Sequence, residues 1–194
     1  MEYEDRIFHL IDSIHDFFLH ELLKKIFDDN EILKKFVCAP ASVKSKHHHS
    51  YLHGLAEHTF GMIALFEKFY EYYDRKINFD NNMMLTAILL HDIGKIDLYG
   101  IDENVKPYFI QKEGKNLNHV QIGVDIVEKF IEMLNKIMIF PSEIKKILFD
   151  AIKSHQGKKK WDSIKEPETN LEWVLHSLDM IDSQGRIGIP SIGE

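Results

Sequence analysis

An apolar segment of this chain ends in Leu89-Leu90-His91-Asp92-Ile93-Gly94-Lys95, where an imidazole, a carboxylate and an ammonium follow in close succession. The run from Met83 to Leu90 predicts a helix that enters a core, with Asp80 or Asn81 as its N-cap. Gly94 predicts the left-handed conformation that allows such a helix to stop. A histidine and an aspartate side by side at the end of an apolar helix call for a chemical explanation.

Length and composition predict a single soluble domain. The chain has 194 residues, of which 44% are hydrophobic and 28% charged, so it is long enough for one domain with a sizeable core. Its formal net charge is −7. That charge excludes binding of a long nucleic acid through the overall electrostatic field, although it leaves a local basic site open.

Three further features predict a cytoplasmic protein. Cys38 is the single cysteine, which excludes an internal disulfide and fits a reducing compartment. Acidic residues precede the first apolar residues, so the N-terminus does not resemble a signal peptide. The apolar runs are too short to cross a membrane.

Apolar spacing predicts an all-α domain, a bundle of about six or seven helices. The region from Tyr3 to Phe36 is one helix or two, divided at Asp28-Asp29-Asn30 and ended by Pro40. The other predicted helices run from Tyr51 to about Asp74, into His91, from Asn118 to Leu134, from Pro141 to about His155, and from Thr169 or Asn170 onward through a buried stripe that includes Ile181. Residues 96–116 are predicted as a loop with a small hairpin.

Six metal-capable residues lie near predicted helix ends or on helix faces: His58, His91, Asp92, His119, His155 and Asp179. They come from five separate segments, so adjacency in sequence does not by itself unite them. A mixed nitrogen and oxygen set suits Mn²⁺, Fe²⁺, Co²⁺, Ni²⁺ or Mg²⁺, and the lack of thiolates argues against a structural zinc site. Asp92 has two oxygens and could bridge two ions about 3.5–4 Å apart.

The order His58, His91-Asp92, Asp179 resembles the motif of the HD-domain metal-dependent phosphohydrolase superfamily, over roughly residues 47 to 185. The segments around these residues are similar to one subgroup, the HD domain of YhaM-type 3′-to-5′ exoribonucleases and related HD hydrolases. They are His48 to Thr59, Leu90 to Lys95, Asn118-His119-Val120, Ser154-His155-Gln156-Gly157, and Thr169 to Asp182.

The resemblance implies a role for each matching position. His58, His91, Asp92 and Asp179 would bind a first divalent ion, and Asp92 would bridge to a second ion held by His119 and His155. Lys95 would face the substrate phosphate and, with Asp92, form the catalytic pair. The chain would be one domain over 1–194, with an N-terminal helical scaffold (1–40), an HD core (47–185) and a tail (186–194).

Two departures from the subgroup bear on the substrate. Gln156 stands where the subgroup has a second histidine. The exoribonucleases also carry an OB-type module before the HD domain, whereas the region before position 47 is predicted to be short and helical. Without such a platform of basic and stacking residues, RNA degradation does not transfer with the fold.

Several residues have both a functional and a structural interpretation. His48, His49 and His53 either line the mouth of the site or belong to a solvated loop and helix start. The candidate substrate contacts are Lys95, His49, His53 and Gln156. Lys158-Lys159-Lys160 beside Trp161 indicates either nucleic-acid binding or, as we prefer, a solvated loop. His176 and Asp182 are expected to orient neighbours rather than bind metal.

Together these observations predict a metal-dependent phosphohydrolase that cleaves a phosphoester of a nucleotide, a dinucleotide or a short oligonucleotide. One alternative is a 3′-to-5′ exonuclease acting on RNA or single-stranded DNA. Another is a ligand-sensing or scaffold domain with little turnover, which ligand loss would favour. The expected partner is a small phosphorylated, nucleotide-like substrate; a homo-oligomer is left open.

Overall fold

The computed structural model describes residues 2–43, 49–73, 80–110, 118–161 and 163–185. Within these ranges it has eight α-helices: α1 (Glu2–Asp12), α2 (Phe17–Phe27), α3 (Asn30–Cys38), α4 (Gly54–Tyr73), α5 (Asn81–Leu90), α6 (His119–Leu134), α7 (Ser142–Ser154) and α8 (Asn170–Gly185). Two short 3₁₀ helices cover Ile93–Asp97 and Lys159–Trp161. The all-α class is therefore confirmed. The predicted tail, His48 and the turn near Asp74 lie outside the described residues.

The N-terminal region has three helices where one or two were predicted, which brings the total to eight. The division at Asp28-Asp29 is confirmed, because Asp29 caps α3. A second break precedes α2, where the Asp16 carboxylate accepts a hydrogen bond from the Leu19 backbone N–H. Apolar residues continue on both sides of this break, with Ile14 and Leu19 both buried, so helical spacing alone did not reveal it.

Side-chain caps set the start of the helices that carry the site. Asp80 caps α5 through the backbone N–H groups of Asn82 and Met83, and Asn118 caps α6 through that of Val120. Thr169 and Glu172 exchange hydrogen bonds at the start of α8, as in a capping box. These caps confirm the predicted starts of three helices.

The end of α5 differs from the prediction for Gly94. Gly94 does not have a positive φ; the chain passes through a helical His91 into the 3₁₀ helix at 93–97. What requires a glycine is space, since a Cβ at this position would lie 2.0 Å from the carbonyl oxygen of His119. Helix α6 thus packs directly on the backbone that follows His91-Asp92.

The core is one hydrophobic cluster to which all eight helices contribute. Helix α4 packs against α3, α5 and α8, while α7 packs against α5, α6 and α8. The predicted small hairpin is present as antiparallel strands β1 (Tyr99–Ile101) and β2 (Pro107–Phe109), in which Tyr99 pairs with Phe109. Within the described ranges, no helix has the length and apolar character needed to span a bilayer.

Helix α8 departs from the predicted apolar stripe at its C-terminal end. Ile181 is 54% exposed, whereas the neighbouring Asp179, Asp182 and Ser183 are buried. The helix therefore turns polar side chains toward the interior over its last turns. A buried acidic face is costly unless cations or donors meet it, and several histidines do so here.

Candidate metal centre

Five helices deliver the six predicted ligands to one place. His58 lies in α4, His91-Asp92 follows α5, His119 opens α6, His155 follows α7, and Asp179 lies in α8. The packing of α6 on the glycine-containing 3₁₀ helix brings His119 next to Asp92. His58 and Asp179 are 121 residues apart in sequence, and the separate motifs did not show that they would meet.

The first three residues, which we call the inner group, are His58, His91 and Asp179. His58 Nε2 lies 3.2 Å from His91 Nε2 and 3.4 Å from Asp179 Oδ1. Asp92 Oδ2 also faces this group, at 3.3 Å from His91 Nε2. The three residues are buried and present ligand atoms to a common point.

The second set, the outer group, is Asp92, His119 and His155. Asp92 Oδ1 lies 3.3 Å from His119 Nε2 and 3.5 Å from His155 Nε2. Because Oδ2 faces the inner group and Oδ1 faces the outer group, Asp92 stands between them. This is the position that a bridging carboxylate would occupy.

Hydrogen bonds at Nδ1 orient three of the rings. His58 Nδ1 donates to Asp182 Oδ2 at 2.7 Å. His91 Nδ1 donates to the Ile88 carbonyl and His155 Nδ1 to the Ile152 carbonyl, both at 2.7 Å. A carbonyl only accepts, so Nδ1 carries the proton in the last two rings and Nε2 keeps its lone pair.

The donor set fits divalent ions. Asp92 Oδ1 is buried and accepts no well-formed hydrogen bond from the described part of the chain, an arrangement that is costly without a cation. Imidazole Nε2 lone pairs converge with carboxylate oxygens, and thiolates do not contribute. Such a site suits Mn²⁺, Fe²⁺, Co²⁺, Ni²⁺ or Mg²⁺.

The pKa values of the cluster reflect the same crowding of unlike charges. Burial would lower the pKa of His58, but Asp179 and Asp182 outweigh it and raise that pKa to about 9. Burial lowers the pKa of His91 and His119. Burial opposes ionisation of both Asp92 and Asp179. Lys95 and His91 nevertheless hold the pKa of Asp92 below its usual range, and His58 does the same for the pKa of Asp179.

Lys95 is buried at 6% exposure, and its ammonium lies 2.5 Å from Asp92 Oδ2. Burial disfavours the ammonium, but Asp92 more than offsets this and raises the pKa of Lys95. The predicted phosphate contact is thus a charged group already paired with the predicted bridge. It also lines the pocket above the ligands.

An open pocket of about 500 Å³ lies over the centre, a size in the range of small-molecule sites. Lys95, His119 and Asp179 line it from below, together with Gln156, Tyr99 and Trp161. Gln156 Nε2 donates to His155 Nε2 at 2.9 Å and approaches His119 Nε2 at 3.3 Å. Gln156 therefore contacts both the outer group and the pocket.

His49 and His53, the other candidate substrate contacts, do not line this pocket. His49 is buried behind His58, with Nε2 3.6 Å from Asp182 Oδ2. His53 has a positive φ of 69°, which directs its ring to the Val37 carbonyl and the Tyr3 ring. Neither side chain is among the described residues that line the pocket, so a substrate role for them stays a prediction.

Tyr99 is a pocket residue that the sequence analysis did not identify, and Trp161 was assigned there to a solvated loop. The cation-flanked tryptophan was the available signal for Trp161. Tyr99 offered no local signal, because its position depends on the pairing of β1 with β2. Asp182, expected to orient neighbours, contacts His58 where Gly61 leaves space for its carboxylate.

Comparisons with known proteins agree with this geometry. The family model "HD domain" matches residues 55–183, which include all six candidate ligands. The chain is 32% identical over 152 residues to 3′-5′ exoribonuclease YhaM of Bacillus licheniformis (78% of this chain, 44% of that protein). It is 29% identical over 181 residues to the Shouchella clausii protein of that name (93% and 52%).

The chain spans about half the length of these curated relatives. No solved structure matches it. The family match covers most of the chain and every residue of the inner and outer groups. The chain therefore belongs to the HD domain family and is a hydrolase of the HD phosphohydrolase superfamily.

Proposed function

We propose that this protein uses one or two divalent ions to hydrolyse a phosphoester of a nucleotide, a dinucleotide or a short oligonucleotide. The observation that carries the proposal is that Asp92 faces both ligand groups beneath a pocket that Lys95 also lines, with Oδ2 3.3 Å from His91 Nε2 and Oδ1 3.3 Å from His119 Nε2. A paired metal site suits phosphoester cleavage because both the attacking and the leaving oxygen need stabilisation. The pocket supplies space for a small substrate.

Each residue has a separate task in this proposal. His58, His91, Asp179 and Asp92 would hold the first ion; Asp92, His119 and His155 would hold a second. When bound, such ions polarise the phosphoryl group and lower the pKa of an attacking water. The Lys95 ammonium adds positive charge where the phosphoryl oxygens gain negative charge, and burial strengthens that interaction.

Gln156 lies where it contacts the outer group and a substrate in the pocket. Its amide can turn to donate to a phosphate oxygen or to accept from a sugar hydroxyl. Asp182 accepts the Nδ1 proton of His58, so that Nε2 would face the inner ion once Nε2 has lost its own proton. These positions support roles for both residues beyond the six ligands.

A direct test combines metal analysis with turnover of bis-p-nitrophenyl phosphate in the presence of Mn²⁺. The wild-type protein is compared with Asp92→Ala and with Asp125→Ala, an exposed aspartate on α6 outside the pocket. We expect bound metal and turnover in the wild type and the control, and loss of both in Asp92→Ala. Absence of metal and of Asp92-dependent turnover would refute the proposal and favour a sensing or scaffold domain.

A second candidate is 3′-to-5′ exonuclease action, which the relatives favour because they are named as 3′-5′ exoribonucleases. Labelled RNA and single-stranded DNA oligonucleotides would be incubated beside mononucleotides and cyclic and linear dinucleotides. Shortening of the oligonucleotides from the 3′ end, one residue at a time, would support the exonuclease. Strict preference for the small molecules would exclude it.

The cytoplasmic location stays a prediction.

A further inference from the structure

Trp161 is an exposed aromatic residue in the same pocket as the candidate metal ligands. It closes the 3₁₀ helix at 159–161, six residues after His155, and its side chain remains 40% exposed. Large apolar side chains on a protein surface are common, but this one faces a polar pocket that contains Lys95, His119 and Asp179. Its location therefore connects it with the substrate rather than with the core.

The position of Trp161 is tied to the metal centre. His176 Nδ1 donates to the carbonyl of His155 at 2.8 Å, and the His176 ring lies 6.3 Å from the Trp161 ring at an angle of 30°. Gly157 has a φ of 82°, and a Cβ there would lie 2.4 Å from the His176 ring. The turn from His155 to Trp161 is thus packed on one side chain, which limits how far Trp161 can move from the ligands.

Two cations accompany this ring. The ammonium groups of Lys158 and Lys160 lie 5.3 and 5.2 Å from the Trp161 ring centroid, within the range of cation–π contact. Both lysines are exposed. Cations beside an exposed aromatic face are the combination that proteins use to hold single-stranded nucleic acid, where bases stack and phosphates are neutralised.

A second aromatic residue reaches the pocket from another element. Tyr99 in β1 lines the pocket, and its ring is held edge-on by Phe109 of the paired strand at 5.2 Å. The pocket therefore has charged and metal-capable side chains in one region and two aromatic side chains in other regions. A nucleotide has the matching division into a phosphate and a flat base.

We propose that Trp161 is the stacking platform for a nucleobase of the substrate, with Lys158 and Lys160 placed for an adjoining phosphate. This inference rests on the proposed function, because the base is that of the nucleotide whose phosphoester is cleaved. Stacking uses the face that every base has, so the site accepts purines and pyrimidines. It discriminates against phosphoesters that lack a base.

Fluorescence tests the contact without turnover. In Trp173→Phe, which removes the other tryptophan at a half-exposed position outside the pocket, the remaining emission comes from Trp161. With Mg²⁺ present, AMP should quench that emission saturably, whereas ribose 5-phosphate should not. Equal quenching by the two ligands, or none by AMP, would overturn the proposal.

Kinetics test its consequence. Trp161→Ala should raise KM for a dinucleotide by roughly 5- to 100-fold, with no change for an analogue whose sugars carry no base. Trp161→Phe should restore most of the loss, and Trp173→Phe, which keeps an aromatic ring beside His176, should match the wild type. An equal effect of Trp161→Ala on both substrates would overturn the base contact. If the wild type cleaves neither substrate, the proposed function fails, and the quenching titration still decides the stacking site.

Discussion

The inner and outer groups use the same kinds of ligand but differ in how much negative charge surrounds them. The inner group contains Asp179, receives Asp92 Oδ2, and has Asp182 behind His58. The outer group has one carboxylate oxygen, Asp92 Oδ1, and its two imidazoles are approached by the neutral amide of Gln156. Cation affinity rises with the number of nearby carboxylates, so the inner group should bind its ion more tightly.

This difference predicts two sites of unequal cation affinity on either side of Asp92. The protein is then expected to bind one ion strongly and a second ion only at higher concentration.

The largest effect is expected from removal of an inner ligand. His58→Ala should abolish tight metal binding and lower turnover by about 10³-fold or more, since several kcal/mol of charge stabilisation disappears. His119→Ala should retain the tight ion and lose only the weak one. Metal content after gel filtration and turnover against Mn²⁺ concentration measure both effects.

An exposed histidine, His15→Ala, provides the matched control for these two variants. If His58→Ala and His119→Ala lose the same ion with the same affinity, the division into two unequal groups is wrong.

Metal removal should lower thermal stability. A ligand at 100 times its Kd stabilises the folded state by about 2.7 kcal/mol, which for a chain of this size corresponds to about 5–10 °C in Tm. Chelator treatment followed by calorimetry measures the shift, and Mn²⁺ should reverse it. Most of the reversal should occur at the low concentrations that fill the inner group; a Tm that rises only when the second ion binds would contradict the ordering.

Asp182 should influence the inner ion alone. Asp182→Asn replaces the carboxylate behind His58 with a neutral group and should weaken the tight ion by about 10- to 100-fold. Gly61→Ala should have a similar effect, because a Cβ there would lie 2.2 Å from Asp182 Oδ1 and displace it. Competition with a chromogenic chelator measures the affinity.

Ser177→Ala, an exposed change on the same helix, is the control for Asp182→Asn. A normal affinity in Gly61→Ala together with a weakened one in Asp182→Asn would show that the carboxylate does not act through its contact with His58.

The smallest effect is expected at Gln156. Gln156→Ala removes the amide that donates to His155 and should strengthen the weak ion by about 2- to 10-fold, the equivalent of one hydrogen bond. The tight ion should not change. Calorimetric titration distinguishes the two binding events, and weaker binding of the second ion would instead identify Gln156 as one of its ligands.

The sequence was sufficient to predict the all-α class and to identify the six candidate ligands that converge at the metal centre. Asp80 and Asn118 are strong local caps, and His91-Asp92 follows an apolar helix, so these features depend on neighbours in the chain. The eight-helix count was missed where apolar spacing continued across Ser13–Asp16. Gly94 was assigned a backbone role, whereas the structure uses its lack of a side chain to admit α6.

The geometry of the site depended on contacts that local patterns do not encode. His53 adopts a left-handed conformation that few non-glycine residues use, so periodicity could not indicate where its ring lies. Tyr99 enters the pocket through strand pairing, and Trp161 through the packing of the turn at Gly157 on His176. Local periodicity does not encode a left-handed φ, the register of a short hairpin or the contact between Gly157 and His176, so only the folded chain displays them.

The pairing of Lys95 with Asp92 has a consequence for the order of events during synthesis of this protein. A newly made chain must enclose several carboxylates before any ion arrives, and a side chain that brings its own positive charge lets it do so. An ion that binds Asp92 Oδ2 would then take the place of the Lys95 ammonium on that oxygen. The chain can therefore fold before metal is present, and Lys95→Met should fold poorly unless metal is supplied from the start, which refolding with and without Mn²⁺ would measure.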